Sequence, residues 1–209
     1  VKGRVPVLVG ITDTSFVESV NLAHRASENG AQAVVLAPPY YFPAGQLELI
    51  EYLKHITIEL SLPLYLYNMP SFTKMVFEPE TIRAAADFTG IAGIKDSSGD
   101  IPRFQRYCKI VRRQEGAVAF LGDERDMAQS WNGIQSRANL DPYRCKDLQE
   151  RLKHHGKHGS AAAVQQFILE GGKVVYCGFK KVRGGLKRAM HYLGLCGPKA
   201  VEPGQNLEP

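Results

Sequence analysis

Short apolar runs recur at a nearly constant spacing through the first part of this 209-residue chain, and this repeat constrains the fold more than any other feature. The runs begin 28, 30, 28 and 26 residues apart, and they are Val5–Val9, Ala33–Ala37, Pro63–Tyr67, Ile91–Lys95 and Ala117–Leu121. Each run is too short for a helix and rich in β-branched residues or leucine. That composition is typical of strands that are buried on both faces of a parallel sheet.

Segments of helical length separate the runs. Ser15 and Asp100 stand where a side chain caps the start of a helix, and Pro79 stands where a helix opens on proline. In the second segment, apolar residues recur at helical spacing: Leu47, Ile50, Leu53 and Ile56. The chain therefore alternates strand and helix, as a βα array does.

A βα array of this regularity closes into a (β/α)8 barrel or stays an open doubly wound sheet. No GxGxxG or GxxxxGK[ST] motif follows any run, so we favour the barrel. After residue 121 the rhythm falters, because the strand candidate at 133–139 contains Gln135 and Arg137. Helices are predicted at 142–155, 160–170 and 182–193. We expect a partial barrel over residues 1–140 and a C-terminal helical segment, residues 141–209, packed on it.

Composition excludes a wholly disordered, collagen-like or coiled-coil chain. The chain is 44% hydrophobic and 22% charged, as in ordinary globular proteins. No apolar stretch reaches the length of a membrane span, so we expect no membrane partner. The net charge of +5 comes from the part after residue 122, but no pattern of a nucleic-acid-binding module accompanies it. We expect no nucleic-acid partner, although a basic binding domain stays open as a distant alternative. Four cysteines without a CxxC motif are typical of reduced thiols in a cytoplasmic protein.

Two reactive side chains end neighbouring predicted strands. In a barrel, the chemistry lies at the carboxyl ends of the strands, where Lys95 and Tyr67 fall. A neutral lysine amine attacks a ketone to form a Schiff base, and a phenol can transfer the protons that this reaction requires. The alternatives are a lysine that reaches solvent or pairs with Asp96, and a tyrosine that belongs to the core. At successive strand ends, the two residues together favour the catalytic interpretation.

Three motifs carry a resemblance to a known family. They are PPYYF at residues 38–42, YNMP at 67–70 and GIKDSSGD at 93–100. In combination they resemble the dihydrodipicolinate synthase / N-acetylneuraminate lyase family of pyruvate-linked class I aldolases on a (β/α)8 barrel. The resemblance covers residues 4–122 and, more loosely, 138–205.

The resemblance implies a role for five residues. Lys95 would form the imine with a small 2-oxo acid, and Tyr67 would relay protons. Tyr41 resembles the tyrosine that family members pass into a neighbouring subunit's site. Gly122 matches a glycine that lines the substrate channel, and Ile134 matches a residue of the last strand near the substrate. The resemblance also implies a covalent imine without a metal or other cofactor, and a homo-oligomer, which is a tetramer in the family.

Departures from the family pattern leave alternatives open. The family's first two βα units, including a GTTGE-like loop that holds the pyruvate carboxylate, have no counterpart in these residues, and the last strand is irregular. Phe72 stands where dihydrodipicolinate synthases place an arginine, which favours a 2-keto-3-deoxy sugar acid or related 2-oxo acid over aspartate semialdehyde. We expect an incomplete barrel that cleaves or forms a carbon–carbon bond to pyruvate. For these residues alone, we expect the aldolase activity to be poor. The alternative is a catalytically impaired barrel that acts as a binding or structural subunit.

A metal site has little support in the sequence. The two carboxylates of Asp96 and Asp100 in DSSGD resemble those of a cation-binding loop, but the segment is too short for an EF-hand. A helix cap at Asp100 explains the second carboxylate. We therefore expect no metal.

Overall fold

The computed structural model of the chain describes residues 1–122, 138, 141–155, 166, 170 and 182–199. These residues belong to two compact units, Val1–Asp123 and Glu124–Pro209. The predicted strand at 133–139 and the predicted helix at 160–170 lie outside the described residues, apart from single positions. The predicted domain boundary at residue 140 stays a prediction for the same reason.

The first unit is built on a parallel sheet whose strands follow one another in chain order. The strands are β1 (Leu8–Gly10), β2 (Ala33–Leu36), β3 (Leu64–Asn68), β4 (Ile91–Asp96) and β5 (Val118–Leu121). All four pairings between neighbours are parallel. Each predicted run therefore holds a strand, although β1 begins three residues later than expected. Sequential parallel order is the arrangement of a βα barrel and not of an open doubly wound sheet, whose strand order reverses.

Helices connect the strands, and their first turns follow the sequence signals. They are α1 (Phe16–Glu28), α2 (Gln46–Glu59), α3 (Pro70–Thr73), α4 (Pro79–Ala85) and α5 (Ile101–Val111). Ser15 and Asp100 accept backbone hydrogen bonds from the third residue beyond them, at 3.4 and 2.9 Å. Pro79 is the first residue of α4. The short helix α3 was not predicted.

One expectation for α2 was wrong. The side chains that α2 buries are Leu49, Leu53 and Ile56, whereas Leu47 is 80% exposed. Leu49 lies one turn before Leu53, so the buried stripe is offset from the one that the spacing predicts. Gly45 caps this helix, and its N–H donates to the Glu48 carboxylate at 2.6 Å. Leu47 therefore lies in the first turn, on the side away from the core.

The two faces of the sheet are buried to different extents. Leu64, Leu66 and Ile94 are fully buried in the core that the helices form with the sheet. On the opposite face, Tyr65 and Phe120 are half-buried and their ring centroids lie 5.8 Å apart. The expectation of strands buried on both faces is thus wrong for this face among the described residues. The half-buried face also carries the two reactive side chains.

The second unit contains helices α6 (Pro142–His155) and α7 (Val182–Tyr192), close to the predicted bounds. No helix within the described ranges has the length and apolar character that a membrane crossing requires. Cys108 and Cys196 are free thiols, Cys145 is buried, and Cys177 lies outside the described residues.

Candidate active site

Tyr67 and Lys95 face each other at the carboxyl ends of β3 and β4. They are partners in the parallel register, and both side chains are half-buried. The Nζ atom of Lys95 lies 4.2 Å from the centroid of the Tyr67 ring. The predicted pair of a lysine and a tyrosine is therefore one contact on one face of the sheet. A cationic Nζ at this distance is attracted to the face of the ring, which holds the amine against the phenol.

Gly122 completes this cluster from the next strand. It follows β5 directly, and its N–H donates a hydrogen bond to the Asp96 carbonyl at 2.7 Å. A Cβ atom at residue 122 would lie 2.1 Å from Ser97 Oγ and 2.8 Å from Lys95 Cε. The position therefore accepts a side chain only if both the serine and the lysine move. The structure thus brings Gly122 into contact with the lysine stem.

A polar pair lies directly behind the reactive pair, and the sequence analysis missed its role. Asn68 and Asp96 each follow a reactive residue in the chain, are register partners, and have no solvent exposure. The Asn68 Nδ2 donates to Asp96 Oδ1 at 2.8 Å. The polar residue after each strand-end residue, in YN and KD, was a signal that could have revealed this pair. Since Asp96 lies on the face opposite Lys95, the described contacts do not support an ion pair between them.

Burial controls the protonation of Asp96. Desolvation raises the pKa of its carboxyl, although hydrogen bonds from Asn68 and Ser98 and the positive charge of Arg103 oppose the shift. Burial also raises the pKa of Tyr107, and the Asp96 charge adds to this effect. The Tyr107 hydroxyl donates to the Phe77 carbonyl, so the phenol is a structural donor in the core.

Two further predicted residues stand apart from this cluster. Tyr41 lies in the loop after β2, is 74% exposed and packs edge-to-face against Phe42 with centroids 4.9 Å apart. The structure therefore does not bury Tyr41 with the lysine and its neighbours. Ile134 lies outside the described residues. Phe72, on α3, is 65% exposed.

No group of three or more His, Cys, Asp or Glu side chains in the described part of the chain is arranged to hold a metal ion. In the DSSGD segment, Asp100 accepts the N–H of Arg103 at the start of α5, and the two side chains form an ion pair at 3.5 Å. The cap that the sequence predicted at Asp100 is therefore confirmed.

Comparisons with known proteins agree with the family that the sequence motifs resemble. A sequence model of the Dihydrodipicolinate synthetase family matches residues 1–208. A 4-hydroxy-tetrahydrodipicolinate synthase from Hyphomonas neptunium is 32% identical over 206 residues, which are 96% of this chain and 69% of that protein. The Bacillus subtilis protein of the same name is 33% identical over 176 residues, 81% of this chain and 59% of its own length. This chain thus spans between 59% and 69% of these two relatives.

Solved structures show the same fold. The dihydrodipicolinate synthase of Bacteroides thetaiotaomicron is 38% identical with a TM-score of 0.91, over 99% of this chain and 72% of that one. A dihydrodipicolinate synthase from Acinetobacter baumannii, solved with pyruvate, is 26% identical with a TM-score of 0.87 and covers 99% of this chain and 71% of its own.

The chain therefore belongs to the Dihydrodipicolinate synthetase family. The family expected from the three motifs is confirmed, and so is the (β/α)8 barrel class, of which the five described strands form a part. The names of the relatives also confirm the expected enzyme class, a lyase or synthase of this family.

Proposed function

We propose that this protein is a class I enzyme that forms an imine between Lys95 and a pyruvate unit and then makes or breaks the adjacent carbon–carbon bond. The 4.2 Å approach of Lys95 Nζ to the Tyr67 ring is the observation that carries the proposal. It places a nucleophilic amine beside a proton carrier at the end of the sheet where barrel enzymes work. The pyruvate bound by the Acinetobacter baumannii relative supports the choice of a 2-oxo acid.

The chemistry follows from these two side chains. Neutral Lys95 adds through Nζ to the ketone carbon, and loss of water from the resulting carbinolamine gives the protonated imine. Proton transfers in these steps fall to the Tyr67 hydroxyl. In the cleavage direction, the hydroxyl beside the bond that breaks loses its proton and departs as an aldehyde, while the iminium accepts the electron pair and becomes an enamine. The enamine takes up a proton at carbon, and hydrolysis of the resulting iminium returns pyruvate and the free amine. In the synthetic direction the enamine attacks the carbonyl carbon of the second reactant.

Gly122 has a steric role in this scheme. A side chain at residue 122 would occupy the space of Lys95 Cε, so glycine leaves the lysine stem free to carry a covalently bound substrate. We also propose, from the family resemblance, that Ile134 lies near the substrate.

Two candidate reactions differ in what is joined to the pyruvate unit. We propose that the substrate is a 2-keto-3-deoxy sugar acid or a related 2-oxo acid. Phe72 supports this choice, because an exposed phenyl ring offers no cation to a second carboxylate. The names of the relatives favour a second candidate, the condensation of pyruvate with aspartate semialdehyde. Phe72 is therefore the residue at which the two candidates can be told apart.

Self-association is part of the proposal. Tyr41 and Phe42 expose most of their rings in one loop, and aromatic side chains are enriched in interfaces. We assign this loop to contact with a second copy of the chain, as the resemblance implies for Tyr41.

The test is a pair of assays on the full chain. Pyruvate release from keto-deoxy sugar acids and from N-acetylneuraminate is compared with the condensation of pyruvate and aspartate semialdehyde. We expect turnover in the first assay that Lys95→Arg abolishes, and a gain in the second assay for Phe72→Arg. Equal turnover by wild type and Lys95→Arg would refute the imine. Imine formation without turnover in either assay would favour the impaired barrel.

A further inference from the structure

The pairing of β3 with β4 is irregular just before the reactive residues. Leu64 pairs with Ile91, but Tyr65 pairs with Gly93, so one residue of β4 is bulged out. Gly93 has φ +152°, and a Cβ there would lie 2.0 Å from the Val118 carbonyl oxygen. A bulge disrupts the local hydrogen-bond ladder and changes the direction of the strand. Four register pairs follow the bulge, from Tyr65 with Gly93 to Asn68 with Asp96, and the last two of them hold the reactive residues and the polar pair.

The Asn68–Asp96 pair stands one register step beyond Tyr67 and Lys95. Because successive side chains of a strand point to opposite faces, this pair is buried on the helix face while the reactive residues lie on the other. The 2.8 Å bond between the two side chains joins the ends of the strands directly. A slip of one residue would move Tyr67 by about 3.3 Å and turn it to the wrong face.

The orientation of the Asn68 amide is determined by its partners. Its Oδ1 accepts the N–H of Phe77 at 3.1 Å, so its Nδ2 is directed at Asp96. Rotation of the amide by 180° would set an oxygen against the carboxylate and an NH2 group against an N–H. Both new contacts are repulsive, and the bond between the strands is therefore made in one way only.

Asp96 is also held from its own loop. Its Oδ1 accepts the N–H of Ser98 at 3.2 Å, and its Oδ2 accepts the Ser98 hydroxyl at 3.1 Å. Ser98 Oγ in turn accepts the N–H of Asp100, the residue that caps α5. The pair thus connects the end of β3 to the start of α5.

We propose that Asn68 and Asp96 are positioning residues, whose buried hydrogen bond across a bulged strand pair holds the Tyr67 phenol in line with Lys95 Nζ for imine formation. This inference rests on the proposed function, because it assigns the pair a role in the chemistry of Lys95. Neither side chain touches the reacting atoms. A displacement of about 1 Å in such a site costs about a hundredfold in rate.

Two variants of the full chain test the inference. Asn68→Leu removes the bond with a side chain of similar size. The exchanged double variant, Asn68→Asp with Asp96→Asn, restores a bond with donor and acceptor reversed. In the exchange, the carboxylate introduced at position 68 can accept from Phe77 N and from the new amide at position 96. The amide oxygen at position 96 can accept the Ser98 hydroxyl, but its NH2 group replaces the oxygen that accepts the Ser98 N–H. Thr81→Val, on α4, is the matched control, since it removes the hydrogen bond that the buried Thr81 hydroxyl donates to the Gln46 side chain of α2.

The readout is the rate at which pyruvate is trapped on Lys95 by borohydride, measured by mass, together with kcat, KM and the melting temperature. We expect Asn68→Leu to slow trapping and kcat by about a hundredfold, with a much smaller change in KM. The exchanged variant should recover part of that loss, because it restores the bond between the strands but not the bond from Ser98 N–H. Thr81→Val should lower the melting temperature without slowing the trapping, which separates positioning from general stability.

Three outcomes would overturn the inference. Folded Asn68→Leu that traps pyruvate at the wild-type rate would show that the bond does not position the pair. A folded exchanged variant as slow as Asn68→Leu would show that the bond alone is not the cause. If Asn68→Leu does not fold, the exchanged variant is compared with wild type, and trapping slowed by about a hundredfold or more would overturn the inference. Absence of a Lys95 adduct in wild type would instead refute the proposed function, and this inference with it.

Discussion

The Nζ atom of Lys95 lies 4.2 Å from the centroid of the Tyr67 ring, across the β3–β4 pair. Because the two residues share one register position, their contact depends on strand alignment and not on loop conformation. This contact and the groups that support it can be tested one at a time.

Removing the Tyr67 hydroxyl should separate proton transfer from packing. Tyr67→Phe keeps the ring that lies against Lys95, but it loses the group that we assign to proton transfer. We expect kcat to fall by about 10² to 10⁴, the usual contribution of a positioned acid or base, with little loss of stability. Steady-state kinetics and thermal melting check both parts. A Tyr67→Phe enzyme within a few-fold of wild type would remove Tyr67 from the mechanism.

Gly122 should tolerate no side chain. In Gly122→Ala, the new Cβ must displace both Ser97 Oγ and Lys95 Cε, which lie 2.1 and 2.8 Å from its ideal position. We expect slower imine formation and a lower free energy of unfolding, by about 1 to 3 kcal/mol as for other overpacked sites. Gly10→Ala is the control, because a Cβ there meets nothing within 4 Å. Equal trapping rates in the two variants would contradict the assigned contact.

The buried carboxyl of Asp96 should make stability depend on pH. Burial raises its pKa in the folded chain, against the opposing effects of Asn68, Ser98 and Arg103. The folded state then binds the proton more tightly than the unfolded state, so the contribution of Asp96 to stability is greatest below its ordinary pKa. It declines as pH rises through the raised pKa, by about 1.4 kcal/mol for each unit between the two values.

Denaturant unfolding of wild type and Asp96→Asn over a range of pH tests this sign. The free energy of unfolding of wild type, relative to Asp96→Asn, should fall as the pH increases above the ordinary pKa of aspartate. A relative stability that instead rises with pH would mean that hydrogen bonds and Arg103 outweigh the effect of burial.

The aromatic loop after β2 should mediate self-association. Tyr41 and Phe42 are 74% and 76% exposed, and we expect the chain to sediment as a homo-oligomer. Tyr41→Ser with Phe42→Ser should shift the distribution to smaller species. Tyr143→Ser, at an 85% exposed tyrosine on α6, is the control and should leave it unchanged. Sedimentation velocity measures all three, and a stable wild-type monomer would argue against the assignment.

The sequence predicted the sheet well because its strands carry a local signal. Each run of apolar residues between helix caps contains a strand, and the caps at Ser15 and Asp100 are made by the expected side chains. Leu47 was misplaced because helical spacing defines a stripe but not which side faces the core. The short helix α3 was missed because four residues carry no periodicity.

The candidate site was predictable only in part. Lys95 and Tyr67 end strands, so parallel topology was enough to bring them together. The polar residues in YN and KD indicate that Asn68 and Asp96 share a face, but the register that makes them partners is known only from the structure. The family resemblance predicted Gly122, but the space that it leaves beside Lys95 is visible only in the structure.

Trapping with borohydride tests the central claim most directly. The full chain is incubated with pyruvate and reduced, and the adduct is weighed and located by peptide mapping. The account predicts one pyruvate-derived adduct per chain, on Lys95, and none in Lys95→Arg. An adduct on another lysine, or none on the wild-type chain, would contradict it.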